Sequence, residues 1–89
     1  MAGYLCVDLL PSSVTTAELT ALVAPCRGVR RCLVATNREG GSLGFAFIET
    51  SSRADAERIL EALDGMPIRG RSVRVSRFNA EYEDAALTG

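Results

Sequence analysis

The sequence contains no histidine, no lysine and no tryptophan, and only three cysteines. The absence of histidine excludes any catalysis that depends on an imidazole base near neutral pH. Cys6, Cys26 and Cys32 are odd in number and form no C-x-x-C pair, so neither a zinc finger nor a disulfide framework is expected. We therefore expect a protein that is not an enzyme and that carries no metal and no cofactor.

Long apolar runs are also missing from the chain. No run approaches the ~18 residues that a membrane-spanning helix needs, and the N-terminus lacks the basic flank of a signal peptide. We expect a cytoplasmic protein, or a nuclear one in a eukaryote, without membrane contact. A length of 89 residues fits one small domain, either a complete small protein of bacterial type or a part of a longer chain.

The charge is unevenly distributed along the sequence. The formal net charge is -1, and all ten bases are arginine. The last ten residues contain Glu81, Glu83 and Asp84 and no base, so the rest of the chain has ten arginines against eight acids. We predict a folded domain at 1–79 and a short acidic tail at 80–89.

Four short segments are typical of strands, because apolar residues alternate with polar ones or β-branched residues dominate. In the first strand, Leu5, Val7 and Leu9 share one face. A turn rich in Asn and Gly at 37–42 joins the second and third strands in a hairpin, and a tight connection at 66–71 precedes the fourth. The four strands are predicted at 4–9, 29–36, 43–49 and 72–77.

Two segments are typical of helices. The first, 15–25, begins with Thr15 as its cap, and Glu18 three residues later completes a capping box. The second, 51–65, has Ser52 as its cap. Their apolar inner faces consist of Leu19, Leu22 and Val23 in the first helix and Ala56, Ile59, Leu60 and Leu63 in the second.

The order β-α-β-β-α-β predicts an α+β, ferredoxin-like sandwich. Its four-stranded antiparallel sheet has both helices on one face, and the opposite face is open. In the third strand, Ala46 and Ile48 alternate with Phe45 and Phe47. Small Ala46 suits a close approach of a helix and Ile48 suits a core, so both phenylalanines are expected on the open face.

The third strand resembles a sequence motif of the RNA recognition motif family. That motif reads K/R-G-F/Y-G/A-F-V-x-F/Y, and residues 43–50, LGFAFIET, match its middle five positions if Ile48 is accepted in place of Val. The family's shorter motif is aliphatic-aromatic-aliphatic-x-Asn-Leu, and residues 5–10, LCVDLL, match it except that Cys6 replaces the aromatic and Leu9 the Asn. The resemblance covers about residues 3–78.

This resemblance implies that the open face binds single-stranded RNA, whose bases stack on aromatic side chains. Phe47 is the implied stacking ring, and Phe45 is implied to lie against sugars or a neighbouring base. Cys6 supplies no aromatic ring, and Leu43 replaces the Arg or Lys of the motif that would contact a phosphate. Phe78 could restore the missing ring. The implied RNA-binding residues are Phe45, Phe47, Cys6, Arg31, Leu33, Arg74, Ser76, Arg77, Phe78 and Arg38, with Ser72 beside Arg74.

Few groups on this face could read bases, so the predicted RNA binding is weak, salt-sensitive and of low sequence specificity. The face is also apolar enough to favour a second interpretation, a protein-interaction surface or homodimer interface formed by Leu33, Leu43, Phe45 and Phe47. The spacing of Phe78 and Tyr82 leaves the tail open to two interpretations, a short helix that covers the sheet or a frayed end.

Overall fold

The computed structural model describes residues 2–78 and has a four-stranded sheet with two helices on one face. Along the chain the elements are β1 (Gly3–Asp8), α1 (Thr16–Val23), β2 (Val29–Thr36), β3 (Ser42–Thr50), α2 (Arg53–Leu63), β4 (Pro67–Ile68), β5 (Arg71–Ser72) and β6 (Arg74–Arg77). The order of the four-stranded sheet is β2-β3-β1-β6, and every neighbouring pair is antiparallel. The ferredoxin-like fold predicted from the sequence is therefore confirmed.

The core lies between the sheet and the helices. Alternate residues of the strands point into it, and each fully buried Leu or Ile contributes roughly 1.5–3 kcal/mol through removal of apolar surface from water. The approach of α2 to β1 is so close that a Cβ at Gly3 would lie 2.7 Å from the Cβ of Ala56. The core includes Leu5, Val7, Leu19, Val23, Val34, Ala46, Ile48, Ile59, Leu63, Val73 and Val75.

Both predicted helix caps are confirmed. The hydroxyl of Thr15 accepts a hydrogen bond from the Glu18 N–H at 3.1 Å, and that of Ser52 accepts one from the Asp55 N–H at 3.1 Å. The carboxylate of Glu18 was expected to close a capping box, but it accepts hydrogen bonds from the guanidinium of Arg69, with Nε to Oε2 at 3.1 Å. This interaction ties the start of α1 to the turn between β4 and β5.

Two leucines predicted to be buried are exposed. The strand β1 ends at Asp8, and Leu9 has a φ of 60° and an exposed fraction of 55%. The alternation therefore stops before Leu9, and Leu10 is buried in its place. Leu22 is 39% exposed, because the short helix α1 turns only Leu19 and Val23 fully into the core.

The connection before the last strand differs from its prediction. Pro67–Ile68 and Arg71–Ser72 pair as a small separate hairpin, whose central residues Arg69 and Gly70 have φ values of 50° and 81°. Positive φ at both positions is the geometry of a tight two-residue hairpin turn. Ser72 therefore pairs with Pro67 and does not lie beside Arg74 in the main sheet. The predicted acidic tail, 80–89, lies outside the described residues.

The thiols of Cys26 and Cys32 are partly buried and pack against the core. Burial raises the pKa of the Cys32 thiol, and a hydrogen bond with Thr20 opposes the increase. Neither helix within residues 2–78 combines the length and the apolar character needed to cross a bilayer. The same residues contain no cluster of three or more metal-ligating side chains.

Candidate nucleic-acid interface

The two sides of β3 differ completely in burial. Ala46, Ile48 and Thr50 have no exposed surface, whereas Phe45 and Phe47 lie on the opposite side and are half-buried. We call that side of the sheet, away from the helices, the open face. The prediction that both phenylalanines lie there is confirmed.

An irregularity in β3 precedes the first ring. Val34 pairs with Ala46 and Thr36 with Ser42, so one residue of β2 lies opposite three residues of β3 between these pairs. Within this segment Gly44 has a φ of 87°, a left-handed conformation that glycine adopts without steric cost. The glycine of the motif thus sets the backbone geometry from which Phe45 projects.

Four aromatic rings form a continuous row across the open face, which we call the ring row. Phe47 lies 5.5 Å from Phe45 and 5.3 Å from Phe78 between ring centroids, and Phe78 lies 5.7 Å from Tyr4. The Phe45–Phe47 and Phe47–Phe78 pairs are edge-to-face, with interplanar angles of 84° and 64°, and each such pair contributes about 0.5–1.5 kcal/mol beyond area burial. The row is therefore a pre-assembled aromatic surface.

The position of Phe78 bears directly on the missing ring at Cys6. Cys6 lies opposite Phe47 on one side and Ser76 on the other. The Phe78 N–H donates to the Tyr4 carbonyl at 3.1 Å, which extends the pairing of β1 beyond the end of β6. This bond holds Phe78 beside β1, the strand that carries Cys6. The ring of Phe78 contacts the ring of Phe47 on the neighbouring strand β3.

Tyr4 joins the site although the sequence motifs do not indicate it. The short motif places its ring at Cys6, so Tyr4 lies outside the positions that the motif marks as aromatic. Tyr4 precedes Cys6 by two residues, and strand alternation alone puts both on the same face. That period is the signal that could have identified Tyr4.

The predicted polar residues are spread over the open face and its edges. Arg31 and Glu49 are cross-strand neighbours whose Nε and Oε1 atoms are 3.9 Å apart. Arg74 and Ser76 are exposed on β6, opposite Asp8 and Cys6. Leu33 is 53% exposed opposite Phe47, and Arg38 is exposed in the β2–β3 turn.

Arg77 is not brought together with these residues. Its guanidinium pairs with the carboxylate of Glu57 on α2, on the helix-covered side of the sheet. Val75 is buried on that side, and strand alternation sends Arg77, two residues later, in the same direction.

An open groove lies at the end of the open face away from Tyr4. It is formed where β1 ends, beside β3, β5 and the start of β6. We call it the end groove, and its lining includes Asp8, Leu9, Leu43, Phe45, Arg71 and Arg74. The ring row thus leads through Phe45 into a concave region with two arginines.

Comparison with known sequences gives relatives of two kinds. RbpA of Synechocystis sp. is 38% identical over 72 residues, which cover 80% of this chain and 71% of that protein. RbpE of Nostoc sp. is 35% identical over 84 residues, 93% of this chain and 85% of that protein. The Sex-lethal homolog of Chrysomya rufifacies is 33% identical over 73 residues, 81% of this chain, but the match spans only 24% of that longer protein.

Solved structures show the same fold. The Sex-lethal RNA recognition domains 1 and 2 from Drosophila melanogaster superpose with a TM-score of 0.81 at 30% identity, over 89% of this chain and 51% of theirs. A Sex-lethal protein/RNA complex superposes with a TM-score of 0.79 at 30% identity, over 85% of this chain and 46% of that chain. This chain thus corresponds to about half of those structures.

A model of one protein family also matches this chain. The model described as RNA recognition motif matches residues 5–74, a span that contains both sequence motifs, both helices, all of β2 and β3 and most of β1. The sheet order and the position of the aromatic residues agree with that match. The chain belongs to the RNA recognition motif family.

Proposed function

We propose that this chain binds single-stranded RNA on the open face, with bases stacked against the ring row. The observation that carries the proposal is the row itself, four aromatic rings on the side of the sheet that neither α1 nor α2 covers. The relatives support it, because RbpA and RbpE are provisionally named as RNA-binding proteins and one structural neighbour is a protein/RNA complex.

Phe47 is the centre of the proposed binding surface. It contacts the ring of Phe45 on one side and that of Phe78 on the other, so a base stacked on it rests on a side chain that its neighbours hold in place. Stacking on one aromatic side chain contributes about 1–3 kcal/mol per base and is sequence-tolerant. Phe78 supplies the ring that Cys6 does not.

The charges limit the affinity. Arg31 is proposed to contact phosphate, but Glu49 lies beside it and competes for its guanidinium. Arg77 is paired with Glu57 away from the open face. Arg74 and Arg38 are exposed and have no carboxylate partner within residues 2–78. We therefore propose binding that is weak, salt-sensitive and of low sequence specificity.

Titration of short RNA oligomers into the wild type and Phe47→Ala tests the proposal. The loss of one stacking ring is expected to weaken binding roughly tenfold to a hundredfold. Leu22→Ala is the matched control, because it removes an exposed apolar side chain from the helix side. Equal affinity of Phe47→Ala and the wild type, or no RNA binding by the folded wild type at low salt, contradicts the proposal.

A second candidate function uses the same surface for a protein partner or a second copy of the chain. Leu33 and Leu43 are each 53% exposed, and beside Phe45 and Phe47 they give the open face apolar area that a homodimer could bury. Sedimentation over a range of concentrations separates the candidates. Self-association that Leu33→Ser abolishes supports the dimer, and a monomer that responds to RNA rejects it.

A further inference from the structure

The arginines near the open face differ in their pairing with acids. Arg31 lies beside Glu49, and Arg77 is paired with Glu57. Arg71 and Arg74 both line the end groove, and neither has a carboxylate partner within residues 2–78. Two arginines that form no ion pair within residues 2–78 thus lie where the ring row ends at Phe45.

The end groove also contains one acid that has no partner within the described part of the chain. Asp8 is exposed and lies opposite Arg74 in the β1–β6 register, but it forms neither an ion pair nor a side-chain hydrogen bond with any residue in 2–78. A carboxylate that stays close to a bound phosphate weakens the binding unless the ligand also brings a hydrogen-bond donor to it.

The position of Asp8 indicates which donor that is. In the β1–β3 pairing Val7 lies opposite Ala46, so the next residues, Asp8 and Phe45, are neighbours, and both line the groove. Because the two arginines, Phe45 and Asp8 line one groove, a phosphate held by the arginines and a sugar against Phe45 would leave the ribose hydroxyls as the donors available to the Asp8 carboxylate. The 2′-hydroxyl is also the group by which a protein distinguishes RNA from DNA.

We propose that the end groove holds the phosphate and ribose of the nucleotide next to the stacked bases, with Arg71 and Arg74 binding the phosphate and Asp8 accepting a hydrogen bond from the 2′-hydroxyl. This inference rests on the proposed RNA-binding function and makes Asp8 a determinant of selectivity for RNA.

The first experiment isolates the 2′-hydroxyl. Short oligouridine is compared with its 2′-fluoro analogue, which keeps a ribose-like sugar but lacks the donor, and uracil carries no exocyclic amino group that could satisfy Asp8. The wild type is expected to favour the ribose form by about tenfold, the lower end for one hydrogen bond to a charged group, since Asp8 is exposed. Asp8→Ala is expected to bring that ratio close to one, mainly by strengthening the binding of the 2′-fluoro oligomer.

Glu49→Ala is the matched control, because it removes the same charge from the same face but outside the end groove. It is expected to strengthen the binding of both oligomers alike and to leave their ratio unchanged. If Asp8→Ala keeps the wild-type ratio, or if Glu49→Ala changes it as much, the role of Asp8 is overturned.

The second experiment tests the arginines. The double variant Arg71→Ala and Arg74→Ala is expected to show a weaker salt dependence. The negative slope of log affinity against log salt should become less steep by about 0.7 for each phosphate that the protein no longer neutralises. The control, Arg27→Ala and Arg53→Ala, removes two exposed arginines that do not line the groove. If both double variants have the same slope, the groove holds no phosphate and the inference fails. A weaker affinity of Phe47→Ala then shows that stacking on the open face still holds.

Discussion

The two faces of β3 show how one strand separates stability from function. On one side Ala46, Ile48 and Thr50 are fully buried beneath the helices. On the other, Phe45 and Phe47 join a row of rings away from the helices. Changes on the first side should therefore alter the free energy of unfolding, and changes on the second should alter the affinity for RNA.

The largest expected effect is on the free energy of unfolding, from a change on the side of β3 that lies beneath the helices. Ile48→Ala should lower the free energy of unfolding by about 2–5 kcal/mol, because it removes a fully buried side chain and leaves a cavity. Phe47→Ala, one residue away, should cost clearly less, since its ring is only half-buried. Urea unfolding of both variants measures the difference. Equal losses would show that the phenylalanine belongs to the core.

On the open face, variants of Phe78 test whether its ring takes the place of the aromatic residue that is missing at Cys6. Phe78→Ala should weaken RNA binding about tenfold, the lower end of the value of one stacked base. Addition of Cys6→Phe to that variant should recover most of the loss, because the new ring would lie opposite Phe47. Fluorescence titration compares the three proteins. A double variant that binds no better than Phe78→Ala contradicts the replacement.

Thr50 is a polar residue on the otherwise apolar side of β3 beneath the helices. Its replacement is expected to have a smaller effect on the free energy of unfolding. Its hydroxyl is fully buried and within hydrogen-bond distance of the carbonyls of Gly3, at 2.9 Å, and Ser52, at 2.8 Å. Thr50→Val should lower the free energy of unfolding by about 1–2 kcal/mol, since the carbonyls lose their donor. Thr36→Val is the exposed control. A change no larger than the control's would show that the hydroxyl contributes no net stability.

The smallest expected effect is an increase in the stability of the fold, from a change at Leu9. Leu9 adopts a φ of 60° although it carries a side chain, and it is 55% exposed. Asn tolerates the left-handed region better than Leu, so Leu9→Asn should stabilise the fold by about 1 kcal/mol. Thermal unfolding measures it, with Leu33→Asn as a control for the loss of an exposed leucine on a regular strand. An equal or lower melting temperature than the wild type's contradicts the strain argument.

The separation of the two faces could be predicted because strand alternation is a short-range property. The motif Gly-Phe-Ala-Phe-Ile places small and aliphatic residues on one side and rings on the other, without further information. Alternation failed where the strand ended, at Leu9, since a turn in the left-handed region resets the direction of the side chains. The same alternation places Arg77 on the side of buried Val75, so the strand period separates its guanidinium from the predicted RNA-binding residues of the open face.

Interactions between distant parts of the chain were harder to predict. The proximity of Phe78 to Phe47 depends on a backbone bond from Phe78 to Tyr4, which links the two ends of the domain. The pairing of Glu18 with Arg69 depends on where a hairpin turn lies against α1. The end groove is lined by residues of β1, β3, β5 and β6, so no single segment of the sequence indicates it.

The open face, and not the helix side, is the surface proposed to receive the RNA. Chemical-shift mapping of the full chain with a short RNA oligomer tests this most directly. We predict shifts for Tyr4, Phe45, Phe47 and Arg74 that depend on RNA concentration and diminish as salt is raised. Shifts confined to the exposed residues of α1 and α2, with the rings unchanged, would contradict the account.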